Sequence, residues 1–102
     1  MHGLTRLVQI LLPTTTRTRS QSALEELAHE LTTKFGGVTS YVRAPAEGRW
    51  LTDARTHHDE ITVVEVMTAQ IDTLYWSDLR ARLERELAQE RIVIRSQVIE
   101  LL

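Results

Sequence analysis

Apolar and polar residues alternate along "LTRLVQILL", and Pro13 with the threonines after it ends the pattern, which predicts a strand over 4–12. The period then changes. In "SALEELAHELTTKF" the residues Leu24, Leu27, Ala28, Leu31 and Phe35 recur at helical spacing and mark one apolar helix face. Ser22 and Glu25 have the spacing of a capping box, which would start that helix at Ser22. Gly36-Gly37 supplies its stop, because glycine accepts the left-handed backbone of a helix C-terminus. "VTSYVR", 38–43, alternates again until Pro45 and Gly48 break it. A long connection then leads to "EITVVEVMT", a strand over 60–68. The second helix is "DTLYWSDLRARLERELAQE", with Asp72 or Thr73 as its cap. Trp76, Leu79, Leu83 and Leu87 line its apolar face, and Arg80–Glu84 and Arg82–Glu86 are spaced as ion pairs on the other. "IVIRSQVIELL" closes the chain as a strand over 92–101.

The order β-α-β-β-α-β is the split βαβ arrangement of ferredoxin-like α+β folds. It predicts a four-stranded antiparallel sheet of order 4-1-3-2 with both helices on one face. The 102 residues suit a single domain, 1–102, with one two-layer core, and no internal repeat or linker divides them.

Helices on one side leave the other side of the sheet to water or to a partner. By alternation, Val8, Ile10, Leu12, Val38, Val42, Val64, Val66, Ile92 and Ile94 meet the helices. The opposite set includes Leu7, Leu11, Ile61, Val63, Met67, Val93 and Ile99 together with Gln9, Tyr41, Arg43, Glu65, Arg95 and Gln97. That face is too apolar to be simply wet and too polar for an ordinary core. It is expected to join a second copy as a homodimer or higher oligomer. The sharper reading is a small-ligand cavity between packed sheets, with Gln9, Tyr41, Arg43, Glu65, Arg95 and Gln97 as its polar contacts. Glu65 is expected mid-strand and paired, with Arg43 as first partner and Arg95 as a neighbour, since a carboxylate buried alone costs about several kcal/mol.

Composition narrows the classes. A net charge of −2 gives no basic field for nucleic acid, and without cysteine there are no disulfides, thiolate nucleophiles or cysteine zinc sites. Arg6 and Gln9 interrupt the first apolar stretch, no convincing cleavage site follows, and no apolar run spans a bilayer. A cytoplasmic protein without membrane contact is therefore expected. Of the 12 basic residues all but Lys34 are arginine, the bias of a GC-rich bacterial genome.

The stretches "FGGVTSYVRAPAEGRW" (35–50) and "YWSDLRARLERELAQERIVIRS" (75–96) resemble short, uncharacterised bacterial proteins whose architecture is similar to dimeric α+β-barrel and ACT-like domains. The resemblance spans most of the chain and implies the ferredoxin-like fold and self-association. That group holds monooxygenases and isomerases as well as ligand sensors and metal-tolerance proteins, so fold does not choose among them.

Three stretches carry candidate chemistry. Adjacent side chains on a strand face opposite ways, so His57 and His58 cannot serve one metal, and His58 with Glu60 gives two ligands where zinc takes three or four. The run 57–60 reads as the polar start of a strand, with all four histidines outside strand interiors and no metal site. "PTTTRTRS", 13–20, precedes a helix N-terminus, where amides and Arg17 and Arg19 could hold an anion, but no phosphate cradle is present and a polar loop is the simpler reading. Trp50 in the long hairpin is expected to anchor against a partner, with a lid as the alternative; Tyr75 should be partly exposed. No catalytic residue and no cofactor is assigned. The sequence points to a non-catalytic oligomeric module binding a small ligand or a partner. The alternative is a small cofactor-independent dimeric α+β-barrel enzyme with its site in the sheet cavity.

Overall fold

The computed structural model describes residues 3–13, 17–49 and 56–102, with the backbone alone for 17–20, 42–49 and 56–60. The elements follow in the order β1 (Gly3–Pro13), α1 (Arg17–Phe35), β2 (Thr39–Arg49), β3 (Thr56–Thr68), α2 (Thr73–Glu86) and β4 (Val93–Leu101). The four strands form one sheet in the order β2-β3-β1-β4, antiparallel at each pairing. This is the ferredoxin-like topology expected from the sequence, with β1 and β3 central.

The core lies between the sheet and the helices. Val8, Ile10 and Leu12 from β1, Val64 and Val66 from β3, and Ile92 before β4 meet Ala23, Leu27 and Leu31 of α1 and Trp76, Leu79, Leu83 and Leu87 of α2. Phe35, Val38, Tyr75 and Ile94 pack at its margin, and Phe35 stacks on Trp76 with ring centroids 5.4 Å apart. Alternation thus assigned the helix-facing side correctly wherever side chains are described. Val42 lies outside them.

Three regions differ from the sequence reading. α1 starts at Arg17, so Ser22 is an interior helical residue and the stretch from 17 to 20 is helix, not loop. Once the amphipathic segment forms a nucleus, each added turn costs little, and Arg, Thr and Ser offer no strong break. The hairpin is longer than expected. β2 runs to Arg49 through an irregularity between Arg43 and Ala46, and β3 starts at Thr56, opposite Arg49. Pro45 is therefore absorbed in an edge-strand irregularity, where its missing amide proton is tolerated. His57 and His58 consequently lie within β3, opposite Gly48 and Glu47, and not outside a strand. Finally, α2 ends at Glu86, four residues before Glu90.

Caps set the helix ends. Gly36 has φ +83 and donates from its amide to the Thr32 carbonyl at 2.8 Å, which closes α1. Asp72 caps α2 by accepting from the Tyr75 amide at 3.2 Å. At the other end of α2, Ala88 donates to the Arg85 carbonyl and Gln89 to the Glu84 carbonyl, a Schellman motif with Ala88 at φ 52.

Candidate functional site

The helix-free side of the sheet is organised in rows that run across the strands. One row is polar: Thr39 on β2 stands opposite Glu65 on β3, Glu65 opposite Gln9 on β1, and Gln9 opposite Arg95 on β4. Arg95 Nε donates to Gln9 Oε1 at 2.9 Å, and Gln9 Nε2 donates to Glu65 Oε2 at 2.6 Å. Tyr41, two residues along β2 on the same side, donates its hydroxyl to the same Oε2 at 3.0 Å. The Gln9 amide is thereby oriented by charge at both ends, its oxygen toward the guanidinium and its nitrogen toward the carboxylate.

The neighbouring rows are largely apolar. On one side lie Tyr41, Val63, Leu11 and Val93, and on the other Met67, Leu7 and Gln97. Val63 is 1% exposed although no helix covers it, whereas Val93 is 44% and Met67 54% exposed. A polar row between apolar rows is what alternating strands produce when one hydrophilic residue from each strand falls in register.

Of the six residues singled out from the sequence, Gln9, Tyr41, Glu65 and Arg95 are joined by hydrogen bonds. Arg95 is not a direct neighbour of Glu65, because β1 stands between their strands and Gln9 carries the link. Arg43 is opposite Ile61, four residues from Glu65 along β3, and its side chain lies outside the described residues. The described partners of Glu65 are Gln9 and Tyr41. Gln97 stands opposite Leu7, is exposed, and makes no hydrogen bond with another member of the row among the described residues. Trp50 and the side chains of His57, His58, Asp59, Glu60, Arg17 and Arg19 also lie outside the described residues.

Reading the sequence alone missed a cleft. β2 begins opposite Glu65, whereas β3 continues to Thr68, so Val66 to Thr68 have β1 on one side and no β2 partner on the other. An open cleft of about 540 Å³ forms there, lined by Leu7, Glu65 and Met67 of the sheet, Phe35 at the end of α1, and the turn 36–39. By pattern alone, Gly36-Gly37 reads only as a helix stop. The signal was the short spacing from that stop to Glu65's partner strand, but it becomes legible only with the β2–β3 register.

A second cluster joins the helices. Glu30 on α1 accepts from the Tyr75 hydroxyl at 2.5 Å and pairs with Arg82 at 2.6 Å, while Lys34 Nζ sits 4.4 Å from the Tyr75 ring centroid. Burial, and then the hydrogen bond to Glu30 and its charge, push the Tyr75 phenol well above its ordinary value. These contacts lock α1 to α2. Among the described residues, Arg82 therefore pairs across helices with Glu30, and Glu84 accepts from the Ile92 amide at 2.9 Å.

Fold and face together define a ferredoxin-like α+β domain with a polar row on the uncovered side of its sheet. No protein-family model matches the chain, and no curated protein matches its sequence. Among solved structures the chain is similar to CPII, a nitrogen regulatory PII-like protein from Thiomonas intermedia K12, bound to ADP, AMP and bicarbonate, with 11% sequence identity and a TM-score of 0.49 over 100% of this chain and 99% of that one. The likeness is one of chain path. Among the described residues, no helix is long and apolar enough to cross a membrane, and no group of three or more His, Asp or Glu residues could hold a metal ion.

Proposed function

We propose that the chain is a non-catalytic module that associates with itself and binds a small molecule through the helix-free face of its sheet. One observation supports this most: the hydrogen-bonded row Tyr41–Glu65–Gln9–Arg95 lies between apolar rows that one copy leaves partly open. Apolar area supplies attraction, and a few oriented polar groups fix position; interfaces and ligand sites are built this way. Arg43 and Gln97, on the same side at the register positions opposite Ile61 and Leu7, are proposed as outer members of the site.

Sedimentation at micromolar concentration tests the association, and native mass spectrometry of the protein as purified tests the ligand. The expected mass is at least twice the 11.7 kDa of one chain, with a small molecule retained. In Glu65→Gln and Arg43→Met, an intact dimer that has lost the small molecule supports the binding site. A dimer lost with no ligand effect leaves the row a structural role. A monomer with no bound molecule overturns the reading.

A further inference from the structure

The cleft at the start of β2 has a definite chemical character. Its sheet and helix walls are apolar, formed by Leu7, Phe35, Val38, Val66 and Met67, and among the described residues the only charged side chain in its lining is Glu65. Both donors that reach Glu65, Gln9 and Tyr41, end on Oε2. No donor among the described residues reaches Oε1. Among the described residues, two nearby cations are engaged elsewhere: Lys34 lies over the Tyr75 ring, and Arg95 donates to Gln9. The cleft therefore joins an oriented carboxylate with one open oxygen to an apolar wall.

Such a site selects for charge and shape together. A carboxylate oxygen accepts most strongly from a cationic N–H donor, and hydrocarbon gains by leaving water against apolar walls. An anion would meet the Glu65 charge, and a neutral apolar molecule would leave Oε1 without a partner. We infer that this cleft takes a small organic cation, a primary amine or guanidine on a hydrocarbon body, with its charged nitrogen on Glu65 Oε1 and its body between Leu7, Phe35 and Met67. The inference rests on the small-ligand reading of the sheet face and assigns that ligand a class and a seat.

Amide chemical shifts of the full chain, titrated separately with hexylammonium, hexanol and hexanoate, test it. Hexylammonium should give saturable shifts at Gly36, Gly37, Thr39, Glu65 and Met67, with hexanol and hexanoate at least tenfold weaker. Glu65→Gln, which keeps the size of the side chain, should weaken hexylammonium at least tenfold. Thr39→Lys places an ammonium directly opposite Glu65 at an exposed position, and that internal cation should abolish the response while the far-UV spectrum stays unchanged. Equal binding of hexanol, or tighter binding of hexanoate, overturns the cationic ligand and leaves the small-ligand reading standing. No response to any of the three overturns the cleft as the seat, and the small-ligand reading is then decided by the molecule retained in native mass spectrometry.

Discussion

Ala88 holds a conformation that suits another residue better. At φ 52 it occupies the left-handed position of the Schellman motif that ends α2, where a Cβ costs about 1 kcal/mol or more. Ala88→Gly should stabilise the fold by about 0.5–1 kcal/mol, the steric relief being partly offset by the greater freedom of glycine in the unfolded chain. Urea denaturation would show this as a higher midpoint at unchanged slope. No residue here announces a stop, and the helical pattern runs on to Glu90. Gly36, in contrast, was legible because glycine announces the same geometry. Glu65 lies between these cases. Its place mid-strand on the helix-free side followed from alternation, but its bonds to Gln9 and Tyr41 required the cross-strand register, since pattern alone favoured the oppositely charged Arg43.

The helices carry their own evidence of how they are held. Of the two caps offered by the position before an apolar period, Asp72 and Thr73, the helix uses Asp72, and Asp72→Ala should cost about 1 kcal/mol of stability in thermal or urea unfolding. The contact between helices was not readable. The i,i+4 spacing of Arg82 and Glu86 suggests a pair within α2, yet Arg82 reaches Glu30 on α1, because the neighbouring helix offers an acceptor already fixed by Tyr75. The Tyr75 phenol is held neutral in the fold, whereas the unfolded chain ionises near the ordinary value of 10.0. The raised value means that its contribution to stability is complete below about pH 10 and is lost as pH climbs beyond, since ionisation then favours the unfolded chain. Melting temperatures at pH 9 and pH 11 should therefore fall more steeply in the native protein than in Tyr75→Phe. Equal falls would remove Tyr75 from this role.

The proposed assembly rests on the uncovered side of the sheet. Met67 and Val93 are the most open apolar residues of the rows beside Glu65 and lie at opposite margins of that face. The double substitution Met67→Asp with Val93→Asp should leave the fold of each chain within about 1 kcal/mol of the native protein, because single exposed positions typically contribute about 0.5 kcal/mol or less. It should nevertheless shift the sedimenting species from at least twice 11.7 kDa to the single chain, since two buried unpaired carboxylates per subunit oppose association. A mass that stays doubled would place the interface on another surface.

Periodicity along the chain carried the fold as far as local physics reaches. A change between periods of 2 and 3.6 reports which faces are buried, so the order of elements, the helix-facing residues Val8, Ile10, Leu12, Val64 and Val66, and the apolar stripe of α2 were all legible. The β-α-β-β-α-β order also fixed the strand order, because short hairpin connections and crossovers leave few alternatives. What pattern cannot contain is distance between residues far apart in the chain. The Arg95–Gln9–Glu65 relay links positions 86 and 56 residues apart, and it exists only because β1 pairs with β3 and β4 in a particular register. The cleft beside Gly36-Gly37 arises where β2 starts short of the end of β3, and Arg82 chooses Glu30 because two helices lie side by side. Each is a relation between elements, set when apolar faces are buried together, and no segment read alone encodes it.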